Sequence, residues 1–93
     1  LGGLIPISAI KNRIVETKNP CDCDSYKQWT VLASYTWVNA PKVQTNTIAI
    51  LEVIPYSKDW VIQRYTTISS NPVIYIRTYH DGTTWSDWTK IIG

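Results

Sequence analysis

The clearest pattern in this chain is a stretch in which side chains alternate one by one instead of recurring every three or four positions. In "QWTVLASYTW", Trp29, Val31, Ala33, Tyr35 and Trp37 stand out of phase with Gln28, Thr30, Leu32, Ser34 and Thr36. A period of two sustained over such a run predicts a half-buried strand. From Thr47 onward the pattern predicts a meander. "IAILEVIPY" reads as a strand buried largely on both faces, "SKD" turns it into "WVIQRYTTI", and "SSNP" turns that into "VIYIRTYH". Asp81-Gly82 is a hairpin signal, because the favoured two-residue turn needs positive φ at both central positions. "TTWSDWTKII" then returns as the last strand. Before the meander the pattern weakens. Residues 4–17 fit either a lead-in strand or a short helical turn, "KNPCDCDSY" reads as a turn-rich linker, and "NAPKVQTN" as a loop that Pro41 keeps from helix.

With a two-residue turn at Asp81-Gly82, Thr78 opposes Trp85, Arg77 opposes Ser86 and Tyr75 opposes Trp88. Trp85 then shares a face with Ile74 and Ile76, while Trp88 shares the other with Tyr75, Arg77 and Tyr79. A bulged three-residue loop exchanges the two faces but still sends one tryptophan each way.

Composition points the same way as the pattern. Val, Ile and Thr make up 31 of the 93 residues, and Leu and Ala together only eight. Branching at Cβ favours pleated strands over helix. The fold class expected is all-β, a small antiparallel meander or sandwich, with a lead-in or linker over residues 1–25 and the β body over 26–93. A net charge of +2, spread along the chain, gives no basic stripe for nucleic acid. No apolar run approaches the ~20 residues that cross a bilayer. "LGGLIPISAI" lacks the basic start of a secretory signal, so the chain reads as a piece of something longer.

Three groups of residues invite chemistry. Cys21 and Cys23 in "CDCD" are too close for an unstrained disulfide and too few for a zinc site. They read as reduced thiols on an exposed polar turn, with a bond or metal shared between subunits as the sharper alternative. His80, Asp81 and Ser86 suggest a triad, but all three come from one hairpin, where convergence is rare. No enzyme, metal or cofactor is expected. Glu52, inside the apolar "LEVI", needs a cation, and Arg64 and Arg77 are the nearest by strand order. Lastly, Tyr75, Arg77, Tyr79 and Trp88 form an aromatic face able to stack on a sugar ring or pack against another subunit, with Trp60 at a turn as a further candidate. Arg77 over Trp88 also fits a simple cation–π contact.

Four blocks in order and spacing, "NAP" (39–41), "LEVI" (51–54), "IQRYT" (62–66) and "YIRTYHDGTTWSDWTKI" (75–91), resemble the pyocin-knob type of domain. That family occurs in tail fibres of bacteriophages and phage-like contractile particles. The resemblance runs from about Tyr35 to the end, with Ser34-Tyr35 where members usually carry Gly-Tyr. It implies a β knob on a homotrimeric fibre borne on a virion, outside the cell, often near the receptor-binding end. The partners implied are two further copies of the chain, the rest of the fibre and a bacterial surface glycan or other receptor. The alternative reading is a monomeric carbohydrate-binding module appended to a larger enzyme such as a wall hydrolase. The string Trp85-Ser86-Asp87-Trp88 is also similar to the tryptophan–serine repeat of cytokine-receptor domains. Thr89 in place of serine, and the lack of disulfide pairs, set that likeness aside.

Overall fold

The computed structural model describes residues 14, 16–41 and 48–92. Among the described residues, nine strands and one 3-10 turn follow in the order β1 (Glu16–Thr17), β2 (Cys21–Asp22), the turn Cys23–Ser25, β3 (Thr30–Ser34), β4 (Trp37–Val38), β5 (Ala49–Ser57), β6 (Trp60–Thr67), β7 (Ile74–His80), β8 (Thr84–Trp85) and β9 (Thr89–Ile92). The principal sheet runs β1-β3-β5-β6-β7-β8, with β9 also on β7, and β2 and β4 form a second, two-stranded sheet. The meander β5–β6–β7 is antiparallel with near-continuous register, as the alternation predicts. Two ladders are parallel, β1 on β3 and β2 on β4. Among the described residues, no helix is long and apolar enough to cross a membrane.

Period two puts one set of side chains on each face of the large sheet. The inner set is Leu32, Ala49, Leu51, Val53, Val61, Tyr65 and Tyr75, all buried. The layer over it comes from Cys21, Cys23, Tyr26 and Trp37, closed by Trp85 and Trp88. The segment 16–25, expected within a lead-in or linker, thus supplies two short strands and two core side chains. The outer face is only partly covered. Ile54 and Ile62 remain more than two-fifths exposed, so β5 is not buried on both faces as its apolar composition suggested.

The first strong strand also differs from expectation. Leu32 and Ser34 face inward, while Trp29 and Tyr35 stand in solvent. The strand also ends early, at a bend after Ser34. The Ser34 hydroxyl donates to the Thr36 carbonyl at 2.9 Å and accepts from the Thr36 N–H at 3.3 Å. This local hydroxyl–backbone bonding competes with the ladder and ends it. Trp37 then turns back inward, its indole N–H donating to Ser34 O at 3.0 Å, and its ring meets Tyr65 edge-on at 5.1 Å.

Candidate functional site

Gly82 and Asp81 both adopt positive φ, +66° and +56°, and the Thr83 N–H donates to His80 O at 3.1 Å. This is the primed turn that the Asp-Gly pair favours. The strands, however, pair His80 with Thr84 and Tyr79 with Trp85, which makes Thr83 an extra residue. The two faces are therefore exchanged relative to the two-residue expectation, and Trp85 lies on the inner side.

Trp88 lies on the inner side as well, which corrects the expectation that the two tryptophans face opposite ways. The ladder breaks between them. The Ser86 hydroxyl accepts the Thr78 N–H at 2.9 Å while the Ser86 N–H donates to Thr78 O at 2.7 Å. One residue thus supplies both halves of the pairing, and the chain re-enters only at Thr89, with a shifted register against Ile76.

Between the two indoles sits Arg77. Its guanidinium carbon is 4.0 Å from the Trp85 ring centroid and 4.6 Å from that of Trp88. Nε donates to Gln63 Oε1 at 2.9 Å and Nη2 to Asp24 Oδ1 at 2.8 Å. Gln63 is fully buried, and its amide donates onward to the carbonyls of Cys23 (2.7 Å) and Tyr26 (2.8 Å). A planar, permanently charged fork with two stacking faces suits this position, and a lysine ammonium would not fill it. Trp88 is fixed at its other end, its N–H donating to Asn39 O at 3.1 Å. Asn39 in turn donates from Nδ2 to Asp22 Oδ1 at 2.8 Å, and the same oxygen accepts the Asp24 N–H.

The candidates therefore divide. Tyr75 and Arg77 are both 6% exposed, which corrects the reading of an open aromatic face, since the segment around "CDCD" covers it. Tyr79 is half-buried against Trp85, with the Lys27 ammonium 4.8 Å over its ring. Trp88 is half-buried. Trp60 is exposed at the β5–β6 turn, its ring 6.2 Å from His80. The structure brings Tyr75, Arg77 and Trp88 together beside Trp85, and leaves Trp60 apart.

A cleft of about 540 Å³ opens beside this cluster, bordered by Asp24, Asn39, Arg77, Trp85, Asp87 and Trp88. Arg77 is largely engaged within the protein. The cleft offers a ligand chiefly the carboxylates of Asp24 and Asp87 and the rims of two indoles, groups suited to sugar hydroxyls and ring edges.

The cysteines are a second correction. Cys21 and Cys23 are 1% and 0% exposed, neither is in a disulfide, and they point into the core. Buried this way, they are out of reach of a neighbouring chain, and the expected exposed turn does not exist. Burial pushes the Cys23 thiol up to about 12, against a weaker opposite pull from Arg77. Among the described residues, no cluster of three His, Cys, Asp or Glu side chains could hold a metal. Ser86 Oγ donates to Asp87 O, and the nearest ion partner of His80 is Asp81 at 3.7 Å, so the three residues do not converge as a triad. Glu52 does find its cation, Arg64 Nη2 at 2.7 Å.

No protein-family model, curated protein or solved structure matches the chain.

Proposed function

We propose that this chain is a knob domain of a phage tail fibre or an equivalent appendage. It assembles as a homotrimer on the virion and serves attachment to the host cell surface, by binding a glycan receptor or by supporting the fibre tip that does. The observation carrying this reading is where the four resembling blocks lie. "NAP" supplies Asn39, which holds Trp88; "IQRYT" supplies Gln63, which holds Arg77; the long last block supplies Arg77 and both indoles; and "LEVI" supplies Glu52, paired with Arg64 of "IQRYT". Every block contributes a residue to a specific contact. That placement supports reading the likeness as one of fold determinants. The outer face adds support for assembly, because Ile54 and Ile62 are left for a neighbouring copy to cover.

The test is the molar mass of the purified chain by light scattering, together with its retention on bacterial envelope preparations. A threefold mass with retention supports the proposal. A monomer retained on envelope polysaccharide favours the binding-module alternative. A monomer that is retained on nothing sinks both.

A further inference from the structure

The aromatic side chains most available to a ligand are not those around Arg77. Tyr56 is 92% exposed and Trp29 is 56% exposed, and the two border one groove of about 550 Å³ at the tip of the β5–β6 hairpin. Pro55 and Tyr56 also border an apolar depression of about 490 Å³ on the other side, which carries Trp60. Tyr56 is therefore the ridge between two hollows.

Its placement has a structural cause. Pairing of β5 with β6 passes from Pro55↔Val61 to Ser57↔Trp60, so Tyr56 is the bulged residue of that ladder. Bulges re-aim a side chain away from the sheet's alternation. Pro55 lies beyond the last β3–β5 pair, Thr30↔Val53, so on the β3 side its missing N–H costs no ladder bond. A tyrosine aimed outward in this way adds little to the core.

Charge then selects the occupant. The groove carries Lys27 and Lys58 and no acidic side chain. Amphipathic ring faces next to ammonium groups complement a sugar ring that bears a negative substituent. We infer that the Trp29–Tyr56 groove binds an acidic saccharide, the ring stacking on the aromatics and its carboxylate or phosphate meeting Lys58, while Lys27, whose ammonium lies over Tyr79, adds positive charge at the rim. This inference rests on the glycan branch of the proposed function and moves the contact from the Arg77 cluster to the hairpin tip. Single-stranded nucleic acid also uses aromatic and basic groups, but two lysines on a chain of net charge +2 give no track for a polyanion backbone.

The experiment is binding of the full chain to immobilised oligosaccharides in three sets, uronate-bearing, phosphate-bearing and neutral, with a ten-residue oligothymidylate as a fourth probe and bacterial envelopes as a fifth. Tyr56→Ala, Tyr56→Phe and Lys58→Gln are compared with the wild type after their melting temperatures are shown to be unchanged. The expected result is at least tenfold preference for one or both acidic sets over the neutral one. The two acidic sets distinguish carboxylate from phosphate. Tyr56→Ala and Lys58→Gln each lose about tenfold, and Tyr56→Phe keeps most of the binding. Saccharide binding that is neutral-selective, or that Tyr56→Ala leaves intact, overturns the groove and spares the glycan reading. Stronger retention on oligothymidylate overturns the assignment of ligand class. Retention on no saccharide and no envelope overturns the glycan branch itself, and the groove with it.

Discussion

Arg77 Nη2 and Asp24 Oδ1 meet at 2.8 Å across 53 positions of sequence. That contact joins the "CDCD" segment to the middle of the meander and closes one side of the core. Asp24 keeps 43% of its side chain exposed, whereas that of Arg77 keeps only 5%. The two partners therefore differ in what their removal costs. Arg77→Ala leaves the buried Gln63 Oε1 without its donor, about 1–3 kcal/mol, and removes two cation–π contacts worth about 0.5–1 kcal/mol each. We expect a loss of about 3 kcal/mol in urea unfolding followed by tryptophan fluorescence. Asp24→Asn, a partly solvated site, loses about 1 kcal/mol or less. The double variant adds little to Arg77→Ala alone, because both act on one contact. Additive losses would mean that the two residues act separately.

The meander was legible because its information is local. Alternation names the two faces of β7, and Lys58–Asp59 and Asp81-Gly82 punctuate the strands, whereas the apolar run of β5 reads as buried on both faces. The Arg77 clamp was legible only in its ingredients. Placing both tryptophans on one side depends on the Ser86 hydroxyl taking the Thr78 N–H, and no period records that event. The role of "CDCD" was hidden for a different reason. Its partners Gln63 and Arg77 lie 40 and 53 residues away, so a local reading sees only polar residues and assigns a turn. In the fold the cysteines pack inward while Asp22 bonds Asn39 and Asp24 bonds Arg77. The parallel ladders of β1 and β2 are two residues long each, too short to leave a pattern. The aromatic groove at the hairpin tip left no signal of its own in the sequence: Trp60 at the turn borders the neighbouring depression, and Trp29 joins Tyr56 from a distant loop.

Trp88 separates structural from ligand-binding aromatics. Its ring packs on Tyr65 at 5.9 Å between centroids and on Arg77, and its N–H is bonded to Asn39. Trp88→Ala should cost about 2 kcal/mol, below the range of a fully buried tryptophan because this one is half-exposed. Trp88→Phe should cost about 1 kcal/mol through the lost N–H bond. Tyr56→Ala should leave the unfolding midpoint where it is. Equal stability of Trp88→Ala and wild type would show that the indole is not part of the core wall.

Gly82 is required twice over. Its φ of +66° disfavours any residue with a Cβ, and a Cβ built there would lie 2.6 Å from Asp59 Oδ1. The Gly82 N–H also donates to Asp59 O at 3.0 Å, which holds the β5–β6 turn against the β7–β8 turn. Gly82→Ala should therefore cost about 1–2 kcal/mol, most of it backbone strain, because the exposed Asp59 carboxylate supplies only a smaller steric part. In an Asp59→Ala background the steric part disappears, because the main-chain acceptor stays and only the carboxylate is removed. A Gly82→Ala cost that is the same in both backgrounds would exclude the Asp59 contact as its cause.

Alkaline pH should loosen the fold through the buried thiol. Cys23 titrates near 9.0 in a solvated chain and is pushed up to about 12 in the folded protein, principally by burial. Burial also raises Tyr65 above its ordinary 10. In both cases the folded state keeps a proton that the unfolded state releases. Stability is then fully present below pH 9 and falls as pH rises from 9 towards 12, by at most about 1.4 kcal/mol per pH unit for each group. Urea midpoints at pH 7, 8, 9, 10 and 11 should show a plateau and then a decline. Cys23→Ala should flatten the first part of that decline, leaving the later contribution of Tyr65. The thiols should also resist a thiol-specific reagent at pH 8 until urea unfolds the chain, since burial denies access to both and keeps Cys23 protonated. Prompt modification of the native protein at pH 8 would place the cysteines at the surface, and the covering role of the "CDCD" segment would fall with that result.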